Sequence, residues 1–490
     1  MDESLETGAP GEALLAYLED RRHEGPELTA TGCFTGAAGG TACGDLVRIS
    51  IRVADSRIAE VTSASDGCAP TRAATAAVAE MVLDQPVLVA AGIGEDAIAE
   101  RLGGLSSTHS HASLLAADAL GRALSAAASS GIELASPPPS GSRTLVALSG
   151  GVDSTAAALL ERQAGREVAA VTVKLWADPA TDGTRSCCSP EAVLEARRLA
   201  HALGVPHLTL DLRERFRGEV VEPFGRDHAA GLTPNPCVLC NGDVRIDEMA
   251  ALATRIGAER LATGHYARLV DDGEGPLLSR PADEAKDQTH MLSGLRPSTL
   301  ARLHFPLGES TKPEARRLVA EAGLERTAEG PESQDLCFLA GTDKLEFLRN
   351  HASLGPREGE IVDSRGRVLG RHPGYHGFTI GQRRGLGLGG GTPLYVTKVD
   401  PVRNRVVVGP RAELERSEVR LVDVRLHRPA TRVDSVRLRH HQAPIGCSAS
   451  GEGGELRLDL SRPATGVAPG QTASLLDGSM VLGHGTIATA

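Results

Sequence analysis

The residues best equipped for chemistry lie in Leu-Ser-Gly-Gly-Val-Asp-Ser, positions 148–154. This segment follows an apolar run that reads as a strand and precedes a run spaced as a helix. Gly150 and Gly151 let the backbone approach an anion closely, and Ser149, Ser154, Thr155 and the helix start supply hydroxyl and N–H donors to phosphate oxygens. Asp153 is placed to hold Mg2+ or to orient the loop. No Gly-Lys-Ser/Thr follows, which excludes the phosphate loop of kinases and GTPases. The run Gly385-Leu-Gly-Leu-Gly-Gly390 formally fits a dinucleotide fingerprint, but it follows no strand and opens no helix, so it reads as a loop among strands.

The second chemical group is a set of thiols. Cys237 and Cys240 fall in Thr233-Pro-Asn-Pro-Cys-Val-Leu-Cys-Asn241, and Cys337 in Ser333-Gln-Asp-Leu-Cys-Phe338. A Cys-x-x-Cys pair on a proline-stiffened loop brings two thiolates to a common point, which suits a metal, a cluster or a redox disulfide. Nine cysteines in 490 residues are too few for a disulfide scaffold. Cys187 and Cys188, just before a helix start at Ser189-Pro190, read as loop or structural residues, Cys447 as core, and Trp176 as packing.

The elements that must position these groups alternate. Strands are expected over 144–148, 168–175, 207–212 and 260–263, with helices over 155–163, 190–203 and 243–256, a pattern that implies a parallel sheet wrapped by helices. Residues 46–51 and 57–62 read as strands and 71–83 and 113–127 as helices, a small α+β unit. After residue 355 short β-prone pieces dominate (359–362, 394–399, 405–408, 435–440), which predicts small β and β-barrel domains. The expected division is 1–128, a solvated linker at 129–142 around three consecutive prolines, 143–354, 355–420 and 421–490.

A net charge of −11 argues against nonspecific coating of nucleic acid, while a local basic face of Arg371, Arg383, Arg384, Arg437 and Arg439 stays compatible with RNA. No apolar run approaches the ~20 residues needed to span a bilayer, and the start lacks signal-peptide order, so no membrane and a cytoplasmic location are expected.

SGGVDS resembles the PP-loop of the ATP pyrophosphatases, which cleave ATP between the α and β phosphates. With Cys187-Cys-Ser189, TPNPCVLCN, Ala262-Thr-Gly-His-Tyr-Ala-Arg268, Lys286-Asp-Gln288, Phe305-Pro-Leu-Gly308, SQDLCF and Gly381-Gln-Arg-Arg-Gly-Leu-Gly387 in one order, the region from Arg143 to Ala490 resembles the tRNA-specific 2-thiouridylases. The resemblance implies an α/β PP-loop domain followed by small β and β-barrel domains. It implies ATP with Mg2+ on Ala147, Leu148, Ser149, Gly150, Gly151, Val152, Asp153 and Ser154, with Val173 and Gly264 lining the pocket. Cys240 matches the nucleophile and Cys337 the persulfide-bearing cysteine. Asn235, Pro236 and Cys237 match the segment that meets the target base, and His265, Lys286, Asp287, Gln288, Gln382, Arg439 and His440 match tRNA contacts. Cys237 stands where many relatives carry Asp, so Cys237, Cys240 and Cys337 are candidate ligands of a 4Fe-4S cluster. Either a Cys337 persulfide or cluster-bound sulfide would then attack the adenylated uracil.

Residues 11–128 resemble the α+β iron–sulfur scaffold proteins of the IscU/NifU type through Gly40-Thr-Ala-Cys-Gly-Asp45, Asp66-Gly-Cys68 and Leu105–Ala116. Cys43, Asp45, Cys68 and His111 match that family's ligands for iron–sulfur or zinc, Ala112 replaces its third cysteine, and Cys33 and His109 are possible substitutes. Implied partners are the anticodon stem-loop of tRNA and a cysteine desulfurase or sulfur carrier. The alternative is an iron–sulfur scaffold or carrier whose PP-loop part binds RNA without turnover.

Overall fold

The computed structural model describes residues 11–39, 44–135, 140–177, 189–330, 336–389 and 392–489. The first unit is an antiparallel sheet of β1 (Cys33–Gly39), β2 (Leu46–Ala54) and β3 (Arg57–Asp66), in that order. Strands β2 and β3 and the two long helices that follow them, Ala69–Val82 and Ser110–Ser129, match the sequence periodicity; β1, a Gly- and Ala-rich strand, and the short helices Val87–Ala90 and Glu95–Arg101 were not expected. The helix Ser110–Ser129 packs across β1 and β2. Close approach there requires glycine, since a Cβ on Gly36 would lie 2.1 Å from Ala119 O and 2.4 Å from Ala123 N.

The second unit carries the parallel sheet. Its strands are β4 (Ser140–Ala147), β5 (Glu167–Lys174), β6 (His207–Asp211), β7 (Ala258–Thr263) and, after a hairpin of β8 (Arg268–Asp271) and β9 (Pro276–Ser279), β10 (Leu303–His304). The order is β10-β7-β4-β5-β6, all parallel. The helix Pro190–Ala202 is capped as the sequence predicts, with Ser189 Oγ accepting from Ala192 N at 3.1 Å and Pro190 in its first turn. Cys187 and Cys188 lie outside the described residues.

Two expectations about organisation are corrected. Where it is described, the 129–142 stretch is docked instead of solvated: Leu134 is buried, and the N–H groups of Leu134 and Ala135 both donate to Arg255 O. Burial of one leucine and two backbone bonds overrides the linker-like composition. The boundary at 420/421 cuts through a strand, because Glu415–Leu426 is continuous and belongs to the C-terminal barrel. That barrel closes when Glu415–Leu426 pairs with both Leu456–Thr465 and Met480–Ile487, and β9 extends it by pairing with Met480–Ile487. Between the parallel sheet and the barrel, residues Gly359–Asp363, Val368–His372, Tyr395–Asp400 and Arg405–Gly409 form a four-stranded sheet. Among the described residues no helix is long and apolar enough to cross a membrane.

Candidate active site

The phosphate loop lies at the carboxyl end of β4, where open parallel sheets place their ligands. Gly150 has a φ of +80°, and the helix Val152–Gln163 begins immediately after the glycines. The hydroxyls of Ser154 and Thr155 are turned onto the loop itself. Ser154 Oγ and Thr155 Oγ1 each donate to Gly151 O at 2.9 Å, and Ser154 Oγ accepts from Ser149 N.

Gly264, at the end of β7, lies flat on this loop. A Cβ there would meet Asp153 C at 2.6 Å and Ser154 N at 2.7 Å, so no other residue fits without moving the loop. Asp153 is held by two groups the sequence reading missed. Tyr266 Oη donates to its Oδ1 at 2.9 Å, and Lys312 Nζ donates to Oδ1 and Oδ2 at 2.7 and 2.8 Å. Tyr266 sits inside the quoted ATGHYAR segment. Lys312 opens a helix behind a Thr311/Glu314 capping box, a place where a cation opposes the helix dipole. That misfit was the available signal. These contacts fix the Asp153 carboxylate against the loop.

Cys240 is buried at a break in helical winding. The chain runs from Pro236–Leu239 through a π-helical turn, Cys240–Arg245, into Ile246–Arg255. Such i→i+5 turns recur at functional sites because they re-aim side chains. The preceding loop is held by the barrel, Gln471 Nε2 donating to Thr233 O at 2.8 Å and Thr233 N to Pro469 O. Asn235 Nδ2 faces His290 Nε2 at 3.5 Å, and His290 also bonds Ser474 of the barrel. Pro236 is buried and Cys237 half-buried. Cys337 is half-buried on the turn Cys337–Leu339. Its neighbour Phe338 packs with Phe216, Phe224 and Phe347, and Trp176 joins them, so four of the seven Phe and the single Trp anchor this turn.

Several residues expected at the tRNA are also tied internally. Asp287 is buried and ion-paired to buried Arg437 at 2.6 Å, which also removes Arg437 from the basic face. Gln288 Oε1 accepts from Tyr266 N. His265 accepts from Arg245, Gln382 braces its own turn through Thr379 N and Arg384 O, and Arg439 donates to Ile380 O while packed on Gly466. His440 is half-buried and stacks near His290, and Lys286 is half-buried. Arg383 and Arg384 are exposed.

In the N-terminal unit Asp45, Cys68 and His111 present ligand atoms all within 4.8 Å of one another. His111 Nδ1 bonds Thr108 O at 3.2 Å, which fixes the tautomer and leaves Nε2 for a metal. Asp45 is buried; although burial opposes it, hydrogen bonds from Thr71 and Cys68 and the nearby His111 hold its carboxyl below the usual range. This mixed S, N and O set fits a transition-metal ion. Cys43 lies outside the described residues, and Ala112 is fully buried. Cys33 cannot substitute, because it occupies the far end of β1 from Gly39, which pairs with Leu46 beside Asp45. His109 bonds Ser106 instead. Among the described residues this is the one such group: Cys237, Cys240 and Cys337 do not form a single-ion site.

Four family models match the chain: a NifU-like N terminal domain over residues 11–130, a tRNA methyl transferase HUP domain over 142–341, a tRNA methyl transferase PRC-barrel domain over 346–410 and an aminomethyltransferase beta-barrel domain over 413–487. The chain is 44% identical over 489 residues, 98% of both chains, to the bifunctional protein NifU/MnmA of Rubrobacter xylanophilus. It is 43% identical over 352 residues to the tRNA-specific 2-thiouridylase MnmA of Chloroflexus aggregans, covering 70% of this chain and 98% of that one. The MnmA of Rhodospirillum rubrum is 42% identical over 355 residues, 69% of this chain and 93% of its own. With the PP-loop, the buried Cys240 and the Asp45–Cys68–His111 group in place, the chain belongs to the MnmA family and carries a NifU-like domain at its N-terminus.

Proposed function

We propose that the protein is a tRNA-uridine 2-sulfurtransferase that thiolates the wobble uridine at the expense of ATP, with Mg2+ arriving on the triphosphate. The observation that carries this reading is one connected unit: Gly264 rests on the loop backbone, and the adjacent His265 is bonded to Arg245, in the π-helical turn that begins at Cys240. Adenylating loop and thiol are thereby held in fixed register.

Uracil O2 attacks the α-phosphorus, the bond to the β-phosphate breaks and pyrophosphate leaves. The terminal sulfur of a Cys337 persulfide then attacks C2, and AMP departs with O2. Cys240 thiolate attacks Cys337 Sγ, the S–S bond to the base breaks, and 2-thiouridine is released with a Cys240–Cys337 disulfide that an external thiol must reduce. AMP is a far better leaving group than the uracil oxygen it replaces. The target base must leave its stack to reach the buried thiol. These steps use only the thiols of this chain; Cys237, Cys240 and Cys337 are the residues that would hold a 4Fe-4S cluster, which would supply the sulfur as bound sulfide instead. Exposed Arg383 and Arg384 supply phosphate contacts to the anticodon stem-loop.

In the N-terminal domain Asp45, Cys68 and His111, with Cys43 as a fourth donor, hold a metal or cluster and dock a cysteine desulfurase that supplies sulfur in the cytoplasm. The test is anaerobic incubation with ATP, tRNA and a sulfur source, read by mass spectrometry of nucleosides. Product is expected from wild type and none from Cys240→Ser or Cys337→Ser; no 2-thiouridine from wild type overturns the reading. About four irons per chain, lost in Cys237→Ser, would transfer the sulfur-carrying role from the persulfide to a cluster.

A further inference from the structure

One cation stands between the two halves of the reaction. The i→i+5 winding of Cys240–Arg245 brings Arg245 back over Cys240 by one turn. Its Nη2 donates to Asn241 Oδ1 at 2.5 Å and to His265 Nε2 at 3.1 Å. His265 Nδ1 is bonded to Thr263 Oγ1 at 2.8 Å. Burial, and then the Arg245 charge, depress the His265 pKa to about 3, so the ring is neutral. Its Nδ1–H therefore donates to Thr263, and Nε2 accepts from Arg245. Asn241 is fixed in turn by its donation to Met291 O at 3.0 Å.

Both partners of the guanidinium are neutral, and among the described residues no carboxylate pairs with it. Its Nε is buried and has no hydrogen-bond partner there. A positive charge braced by two neutral acceptors, with a donor unmet, is arranged for an anion that arrives later. That anion must reach both the loop under Gly264 and the base beside Cys240. In an adenylated uridine the α-phosphate is the group bonded to both the nucleotide and the base.

We propose that Arg245 is the α-phosphate clamp of this enzyme, a catalytic residue that holds a non-bridging oxygen while uracil O2 displaces pyrophosphate and again while AMP departs. In the first step the O2–P bond forms and the P–O bond to the β-phosphate breaks, its electron pair leaving on pyrophosphate. In the second the S–C2 bond forms and C2–O2 breaks, its pair leaving on AMP. Negative charge is exchanged at this phosphate in both, and a preorganised donor counts most there. A planar fork serves this better than a point charge.

The inference rests on the adenylation reading, and one experiment separates the two. Single-turnover formation of AMP is measured on the full chain with substrate tRNA, alongside tRNA binding, the thermal midpoint and the pH dependence of Cys240 alkylation. Arg245→Gln is expected to lower the rate of AMP formation about 10²- to 10³-fold, with tRNA affinity within about threefold and the alkylation profile unmoved. Arg245→Lys, which keeps charge without the fork, is expected to recover part of the loss and guards against a folding defect in the first variant. AMP formation by Arg245→Gln within threefold of wild type overturns the clamp. So does a loss confined to tRNA binding, or a displaced alkylation profile with AMP formation intact. Absence of tRNA-dependent AMP from wild type would sink the adenylation reading itself, and the clamp with it.

Discussion

Lys312 Nζ lies 2.7 and 2.8 Å from the two carboxylate oxygens of Asp153, a residue 159 positions earlier in the chain. The lysine side chain is 10% exposed and the aspartate 33%, so the two partners are not equivalent. Removing the aspartate strands a buried cation, whereas removing the lysine leaves a carboxylate that water can reach.

Asp153→Asn is therefore expected to destabilise the fold by about 3 kcal/mol as well as disable the loop. Lys312→Met should leave the unfolding midpoint nearly unchanged while lowering kcat/KM for ATP about 10²-fold, because a preorganised cation at the loop is lost. Denaturant titration with steady-state kinetics on both variants checks this. Equal stability losses would show that the pair is merely structural.

The phosphate loop and the Cys-x-x-Cys segment were readable because each compresses its chemistry into a few adjacent residues. Lys312, Tyr266 and Arg245 were not singled out because their roles arise from contacts 159, 113 and 20 residues apart in sequence, respectively. Asp287 and Arg437 were misread for the same reason: each is a polar residue that sequence alone places in solvent, and only their mutual pairing at 2.6 Å makes burial tolerable. The strand Glu415–Leu426 was cut at 420/421 because no turn residue marks a boundary there and none is needed.

The Asp45–Cys68–His111 group predicts tight binding of Zn2+. Zinc at 100 times its dissociation constant should raise the stability of the folded protein by about 2.7 kcal/mol. Cys68→Ala should weaken binding at least 100-fold, and affinity should fall on acidification because metal binding releases protons. Competition against a chromophoric chelator measures this; unchanged affinity in Cys68→Ala would place the metal elsewhere.

Stability should decline below about pH 6.5. His228 and His290 are buried, and burial, reinforced by nearby Lys344 and His376 for the first and His440 and Arg437 for the second, depresses both pKa values to about 3. Between pH 3 and 6.5 the unfolded chain binds these protons and the folded chain does not, so stability rises with pH across that window, by about 1.4 kcal/mol per pH unit for each imidazole. Denaturant midpoints at pH 7.5, 6.0 and 5.0 should fall in that order. A flat series would mean the imidazoles are protonated in the native state.

The NifU-like domain is built into the thiolase instead of being tethered to it. The helix Ser110–Ser129 has β1 and β2 on one side and β6 on another. Ser125 Oγ donates to Thr209 O at 3.0 Å, Asp211 N to Ser129 Oγ, His207 N to Ala91 O and Arg197 Nη1 to Asp118 Oδ1 at 2.9 Å. One apolar core contains Ala119, Ala123, Leu208 and Leu210 alike. Twelve of the helix's 20 residues are buried, and its alanines are what let two sheets approach it. The first two domains are thus expected to unfold in one calorimetric transition. Gly36→Ala, whose Cβ would strike helix backbone, should lower that midpoint by several degrees for both together, whereas Gly141→Ala, which meets nothing within 4 Å, should not. Two transitions, with only the earlier one displaced by Gly36→Ala, would show that the shared helix does not couple them. That outcome would make the fusion a matter of proximity alone.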